Sequence, residues 1–271
     1  MNQQDARAKI VVDNVTFEYT SPQTRQSVRA LQNLSIEVRT NEFLCVLGPS
    51  GCGKSTLLYL VAGLSKPTSG RVLVDGKPVA GPGSDRGMVF QEYALLPWRT
   101  VRENVSLGLK IRGVPARERR SVAQHFMDLV GLQGFEDKYP HELSGGMRQR
   151  AAVARTLANS PQVILMDEPF AAVDAQTRTV LQEQLAGIWA TNRLTAVFVT
   201  HHIDEAIFLG DRVLIMTPRP GRVHSIVPID IPREDRHWDI LEASRVFQDL
   251  KAHIGSIIRD LGGGQDPDGD K

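Results

Sequence analysis

The 271-residue sequence predicts an α/β fold built on a largely parallel sheet. Three observations lead there. Two short apolar runs, VILM at 163–166 and TAVFVT at 195–200, have the length and composition of strands buried on both faces. A third run, at 43–47, opens into the glycine-rich stretch GPSGCGKST at 48–56 and then a helical pattern. Between them, residues 100–160 turn helical, as an insertion would.

In chain order, the opening third reads as short strands at 10–12, 16–19 and 34–38, where β-branched and aromatic residues lie between turn signals. A helix then runs from about Lys54 to Ala62 and closes at Gly63. In RVLVDGKPV, Asp75-Gly76 separates two apolar runs, a strong hairpin signal. Val122, Phe126, Leu129 and Val130 share one helical face before Gly131, and the charge run ARERR that opens this helix is a solvated face. A helical stretch follows at 175–189. RVLIMTPRPGRVHSIVPI then reads as a hairpin around Pro220-Gly221, and a polar helical tail ends in GGGQDPDGDK, too polar and glycine-rich to order itself.

Composition narrows the function classes. A hydrophobic fraction of 41% suits a core of ordinary size. Lysine plus arginine, 32, nearly balance aspartate plus glutamate, 31, so the basic excess of a general nucleic-acid binder is missing and no nucleic-acid partner is expected. No segment approaches the roughly 18 apolar residues of a membrane span, and MNQQDARAKI reads as lacking a secretory core. Cys45 and Cys52 lie too close on strand and loop for a disulfide, which suits a reducing compartment.

The stretch at 48–56 fits G-x-x-x-x-G-K-[ST], whose backbone amides wrap a polyphosphate at a helix N-terminus. Gly48, Pro49, Ser50, Gly51, Cys52, Gly53, Lys54, Ser55 and Thr56 are therefore expected to bind a nucleoside triphosphate, with Lys54 neutralising its phosphates and Ser55 holding Mg²⁺. Cys52, beside Lys54 and a helix N-terminus, is expected to be a reactive thiol of lowered pKa. VILMDEPF ends a strand in two carboxylates: Asp167 would complete the Mg²⁺ shell and Glu168 would polarise the attacking water. In LSGGMRQR, Ser144, Gly145 and Gly146 precede a helix and form a second anion-binding nest. Alone, that octapeptide is also a plain N-cap serine with flexible glycines. Beside a complete phosphate loop, it is better explained as closing over nucleotide held by another copy of the chain.

These motifs, in this order from Tyr19 to His201, resemble the ATPase subunit of an ATP-binding cassette (ABC) transporter. The resemblance implies a P-loop NTPase (RecA-like) core with an N-terminal antiparallel β-subdomain and an inserted α-helical subdomain. It implies ATP and Mg²⁺ as ligands, and one such domain over 1–271: core at 1–99 and 161–230, helical signature subdomain at 100–160, helical tail at 231–271. Gln91, in MVFQEY, resembles the glutamine that touches Mg²⁺ and senses the permease. His201, after VFVT, resembles the switch histidine at the γ-phosphate. Asp174 resembles the aspartate of the loop that crosses the dimer, and Tyr19 the aromatic that stacks on adenine. Two departures stand out: Ala171 and Val173 where other residues are common in the family, and His202 after the switch histidine.

QEYALLPWRTV together with PRPGRV at 218–223 is similar to the bacterial importer branch for nitrate, sulfonates and taurine. That kinship implies a periplasmic solute-binding protein, a separate permease, and a place on the cytoplasmic side of the inner membrane. Leu95, Leu96 and Trp98 form an apolar patch with an aromatic anchor, either the permease contact or packing of the helical insertion. A non-transport cassette acting on DNA or ribosomes is the alternative reading, but the long coiled coil or second cassette usual there is missing.

Overall fold

The computed structural model describes residues 7–20, 25–171, 173–192 and 194–262, which fall into two compact units, 7–82 with 194–262, and 83–192. The first unit begins with β1 (Ala8–Thr20) antiparallel to β2 (Ser27–Arg39). The segments read separately at 10–12 and 16–19 are one strand. A register shift between Val12 and Val15 takes up the extra residue, with Asn14 at φ 47°, a left-handed conformation asparagine tolerates. β3 (Phe43–Leu47) is buried along its whole length and leads through 48–53 into α1 (Lys54–Ala62). Gly63 ends α1 at φ 78°, and a Cβ there would sit 2.2 Å from the Gly81 carbonyl oxygen, so both the turn and the approach demand glycine. β4 (Ser69–Val74) and β5 (Lys77–Pro78) join across Asp75 at φ 52° and Gly76 at φ 73°, the left-handed pair of a tight hairpin. These strands form an antiparallel sheet in the order β2-β1-β4-β5.

The second unit opens with β6 (Arg86–Val89), parallel to β7 (Val163–Asp167). Sequence patterning overlooks β6 because it is four residues long, contains Gly87 and follows a run of glycine, proline and serine. The helical region is several short helices: α2 (Val101–Val105), α3 (Leu107–Ile111), α4 (Ala116–Leu129) and α5 (Gly145–Leu157), with a 3₁₀ turn at Pro140–Glu142. A capping box starts α2, the Thr100 hydroxyl accepting from the Glu103 amide and the Glu103 carboxylate from the Thr100 amide. The expected face of α4 is displaced: Ala123, Met127 and Val130 are buried, while Val122, Phe126 and Leu129 are half-buried. The helix packs against α2 and α5, and the small buried residue at 123 is one that a count of large apolar residues does not register. α5 packs on β6 closely enough that a Cβ on Gly87 would meet Thr156 Cγ2 at 2.4 Å. α6 (Ala175–Asn192) completes this unit.

The remainder belongs to the first unit: β8 (Thr195–Val199), α7 (Ile203–Leu209), β9 (Arg212–Met216), β10 (Val223–Pro228), a 3₁₀ turn at Arg233–Asp235, α8 (Trp238–Leu241) and α9 (Arg245–Gly262). β3 lies between β8 and β9, parallel to both, and β10 returns antiparallel to β9 as the expected hairpin. The tail is amphipathic, not polar throughout. Phe247 and Ile254 are buried, and Trp238 stacks on Phe208 with ring centroids 4.3 Å apart. Buried Arg236 fixes the approach to α8 by donating to the carbonyls of Phe208, Gly210 and Ile231. The closing GGGQDPDGDK lies outside the described residues beyond Gly262.

Candidate functional site

In the first unit, the C-terminal ends of β3 and β8 lie side by side, Val46 opposite Val199. Ligands of parallel sheets bind at that edge. From β3 emerges the phosphate loop. Gly51 at φ 73° and Gly53 at φ 101° take left-handed conformations, and a Cβ on Gly53 would meet Leu31 Cδ2 at 2.6 Å. Lys54, 7% exposed, donates through Nζ to the carbonyl oxygens of Gly48 at 2.9 Å and Pro49 at 3.1 Å, so its ammonium is held inside the curve of the loop. Ser50 and Gly51 are exposed, Gly48, Pro49, Gly53 and Ser55 half-exposed, and Cys52 and Thr56 buried.

Tyr19 reaches the same helix from β1, its hydroxyl 3.0 Å from Thr56 Oγ1 and its ring edge-on to Phe17 at 4.8 Å. At 48% exposure the ring is not core and keeps an open face. His201 leaves the end of β8 exposed, its ring centroid 4.0 Å from that of His202. Below it, the buried Glu205 carboxylate accepts from Thr200 Oγ1, which in turn accepts from the His202 amide at 3.0 Å. Thr200 and Glu205 fix the turn that carries His201. Sequence reasoning missed them, although a threonine and an acid five apart around a strand end are the signal.

The expectation for Cys52 is overturned. Burial pushes its thiol up, with Lys54 opposing but not prevailing, and the sulfur lies within 2.9 Å of where a Gly48 Cβ would be. Desolvation outweighs the lysine because the side chain is fully buried beside Gly48. Cys45 is likewise buried, and both cysteines are free.

In the second unit, β6 and β7 end together, Val89 opposite Met166, so Gln91, Asp167 and Glu168 leave from one edge. Asp167 is buried, Gln91 is exposed, and Glu168 has φ 45°, a left-handed backbone rare outside glycine and asparagine. Ser144 caps α5, its Oγ accepting from the Met147 amide at 3.3 Å. Asp174 accepts from the Thr177 amide at 3.0 Å, and hydrogen bonds from Thr177 lower its pKa. The two motifs are neighbours: a Cβ on Gly146 would meet Thr177 Cγ2 at 3.0 Å and Val173 Cγ1 at 3.7 Å. Val173, a departure from the family pattern, thus lines the signature glycine.

The apolar patch is on the surface. Trp98 is 70% exposed, which removes the reading of it as a core anchor for the insertion. Its loop is pinned by fully buried Asn104, which accepts from the Leu96 amide at 2.8 Å and donates to the carbonyls of Leu96, Arg99 and Thr100. Arg155 of α5 holds the preceding residues, donating to the carbonyls of Tyr93 and Ala94. Asn104 escaped sequence reasoning because an asparagine inside a short helix gives no pattern.

Among the described residues, no group of three or more His, Cys, Asp or Glu side chains forms a metal cage. Hard oxygen donors are present in the Ser55 hydroxyl and the buried Asp167 carboxylate. Each unit taken by itself thus offers a hard oxygen of the kind Mg²⁺ takes, the ion being usually held by one or two protein oxygens together with substrate phosphates.

A family model described as ABC transporter matches residues 31–171. An uncharacterized ABC transporter ATP-binding protein of Methanocaldococcus jannaschii is 55% identical over 94% of this chain and 92% of its own. The nitrate import ATP-binding protein NrtD of Synechocystis is 50% identical over 87% of this chain and 90% of its own. Among solved structures, a dimeric ATP-binding cassette in a post-hydrolysis state with ADP and Pi superposes with a TM-score of 0.73, at 33% identity, over 82% of this chain and all of that one.

Proposed function

The chain belongs to the ABC transporter family and is an ATPase, and on that premise we propose that it energises import of a small anionic or zwitterionic solute of the nitrate, sulfonate or taurine class. It does so as a peripheral subunit on the cytoplasmic face of the membrane, bound to a separate permease and served by a solute-binding protein. The observation that carries this reading is the likeness to the nitrate import protein, which extends over nearly the whole of both chains.

The residues divide the work. Amides of 48–53 and the Lys54 ammonium bind the phosphates of ATP, and Tyr19 offers its open ring face to the base. Ser55, Asp167 and Gln91 would be the oxygen donors for Mg²⁺, which would neutralise charge on the phosphate oxygens. Glu168 takes a proton from the attacking water, and His201 orients that water at the γ-phosphate. Ser144, Gly145 and Gly146 of a second copy close over the same phosphate, with Asp174 at the dimer crossing, so binding joins two subunits and hydrolysis parts them. Leu95, Leu96 and Trp98 transmit this movement to the permease.

The test is deletion of the gene in its own strain, with uptake of labelled nitrate, taurine and an alkanesulfonate measured before and after complementation. Loss of one of these activities, restored by the native gene and not by its Glu168→Gln form, is the expected result. Unchanged uptake of all three would refute the solute class.

A further inference from the structure

The segment PRPGRV marks kinship in the sequence, but the roles above leave it without a task. It forms the connection between β9 and β10, and it lies against the underside of the phosphate loop. Gly221 is the closest point. A Cβ there would fall 2.0 Å from the Cys52 carbonyl oxygen and 2.9 Å from Met216 Cε, although its backbone is outside the left-handed region. Close approach alone therefore requires glycine.

The strap is itself fastened. The Gly221 amide donates to the Ala30 carbonyl at 2.8 Å and its carbonyl accepts from the Gln32 amide at 3.0 Å, so it bridges to Leu31 of β2. Arg222 donates to Gln32 Oε1 at 2.6 Å, and Thr217 Oγ1 accepts from the Arg222 amide at 3.0 Å. On the outer side, exposed Arg219 donates through Nε to the Gly51 carbonyl at 3.5 Å. The same β2 residue also meets the loop, since a Gly53 Cβ would lie 3.1 Å from the Ala30 carbonyl oxygen. The loop from Gly51 to Gly53 is thus in contact with both β2 and the strap.

We infer that the strap at 217–222 is a positioning element for nucleotide binding, holding the phosphate loop through Gly221 beneath Cys52 and Arg219 beside Gly51. This rests on the reading of 48–56 as the ATP site. A loop rich in left-handed glycines pays a large ordering entropy when free, and a fixed neighbour removes that cost before ATP arrives. Cys52 reports on the strap directly. Its carbonyl oxygen faces Gly221 while its sulfur is fully buried beside Gly48, so displacing that carbonyl would loosen the packing that covers the thiol.

The experiment measures ATP affinity by calorimetry, thermal stability, and the rate of Cys52 alkylation located by peptide mass mapping, all on the full chain. Gly221→Ala is expected to weaken ATP binding about tenfold and to speed Cys52 alkylation at least as much, with turnover at saturating ATP retained. Arg219→Ala, on the surface, is expected to weaken binding about threefold without lowering Tm, and Arg219→Lys to restore part of it. If Gly221→Ala does not fold, the Arg219 pair carries the test. Folded variants with unchanged affinity and a protected Cys52, or a lowered Tm with unchanged affinity, would overturn the strap. Absence of ATP binding by the unaltered chain would instead overturn the site reading beneath it.

Discussion

Both glycine-rich turns of this chain open a helix, the phosphate loop into α1 and the 144–146 segment into α5, yet one is enclosed by its own chain and the other is not. In the first, Cys52, Lys54 and Thr56 are buried, Lys54 is bound to two loop carbonyls, and β2 and the β9–β10 connection hold the backbone. In the second, Ser144 is exposed and Gly145 and Gly146 are half-exposed, with Gly146 packing toward Thr177 and Val173. A site that binds alone needs its shape fixed in advance. A site that completes another copy's needs its donors left outward. The difference between the loops is what the proposed sharing of a nucleotide demands.

The largest effects should come from the enclosed loop. Lys54→Ala removes the buried charge and is expected to weaken ATP binding by roughly 100-fold or more, abolishing turnover while the fold persists. Unchanged affinity by calorimetry would break the comparison at its first term. Next is the pair that tests the open nest. Glu168→Gln keeps shape but not basicity, so it should bind ATP, turn over at least about 100-fold more slowly, and sediment as a dimer only with ATP. Adding Ser144→Arg places bulk and charge on an exposed N-cap and should return it to monomer. Equal dimerisation of the double variant would show that the nest is not shared.

How far the sequence carried this picture follows from what fixes each feature. The phosphate loop, the Asp167-Glu168 strand end, the Asp75-Gly76 hairpin and the signature serine were legible because backbone geometry or charge allows few residue types there. β6 was not, because its four residues are made a strand by pairing with β7 and by the fit of Gly87 under Thr156. Nor was the burial of Cys52. Local context suggested a thiolate, and tertiary packing under Gly48 reversed it. Asn104, Thr200 and Glu205 share this character, since Asn104 and Thr200 bond to backbone and Glu205 holds the Thr200 hydroxyl, none of which sequence patterning sees.

Smaller effects separate the patch from its support. Asn104→Ala leaves the Leu96 amide and the Arg99 carbonyl without their buried partner, while the Leu96 and Thr100 carbonyls keep backbone donors, and should cost about 2–3 kcal/mol in a denaturant titration. Trp98→Ala, at an exposed ring, should change stability by less than about 0.5 kcal/mol and leave basal ATPase activity intact, while uptake by the assembled transporter falls. A large loss of stability in Trp98→Ala would return the patch to the core.

The smallest effect on the fold comes from a labelling contrast. Cys52 has a thiol raised by burial, so at neutral pH it is protonated and covered, whereas a thiol introduced by Ser144→Cys would sit exposed at the start of α5, where a helix N-terminus favours thiolate. Maleimide should therefore label Ser144→Cys at least about 100-fold faster than Cys52. ATP should protect the introduced thiol only when Glu168→Gln traps the dimer. The pH dependence runs the same way. Because the folded pKa of Cys52 lies above its unfolded value, its contribution to stability is complete below the ordinary thiol range and is lost as pH rises through the raised folded value. Stability of the native chain relative to Cys52→Ala should hold level at neutral pH and decline in alkali. Rapid labelling of Cys52 at neutral pH, or a difference that grows as pH falls, would mean that the phosphate loop is as open as the signature.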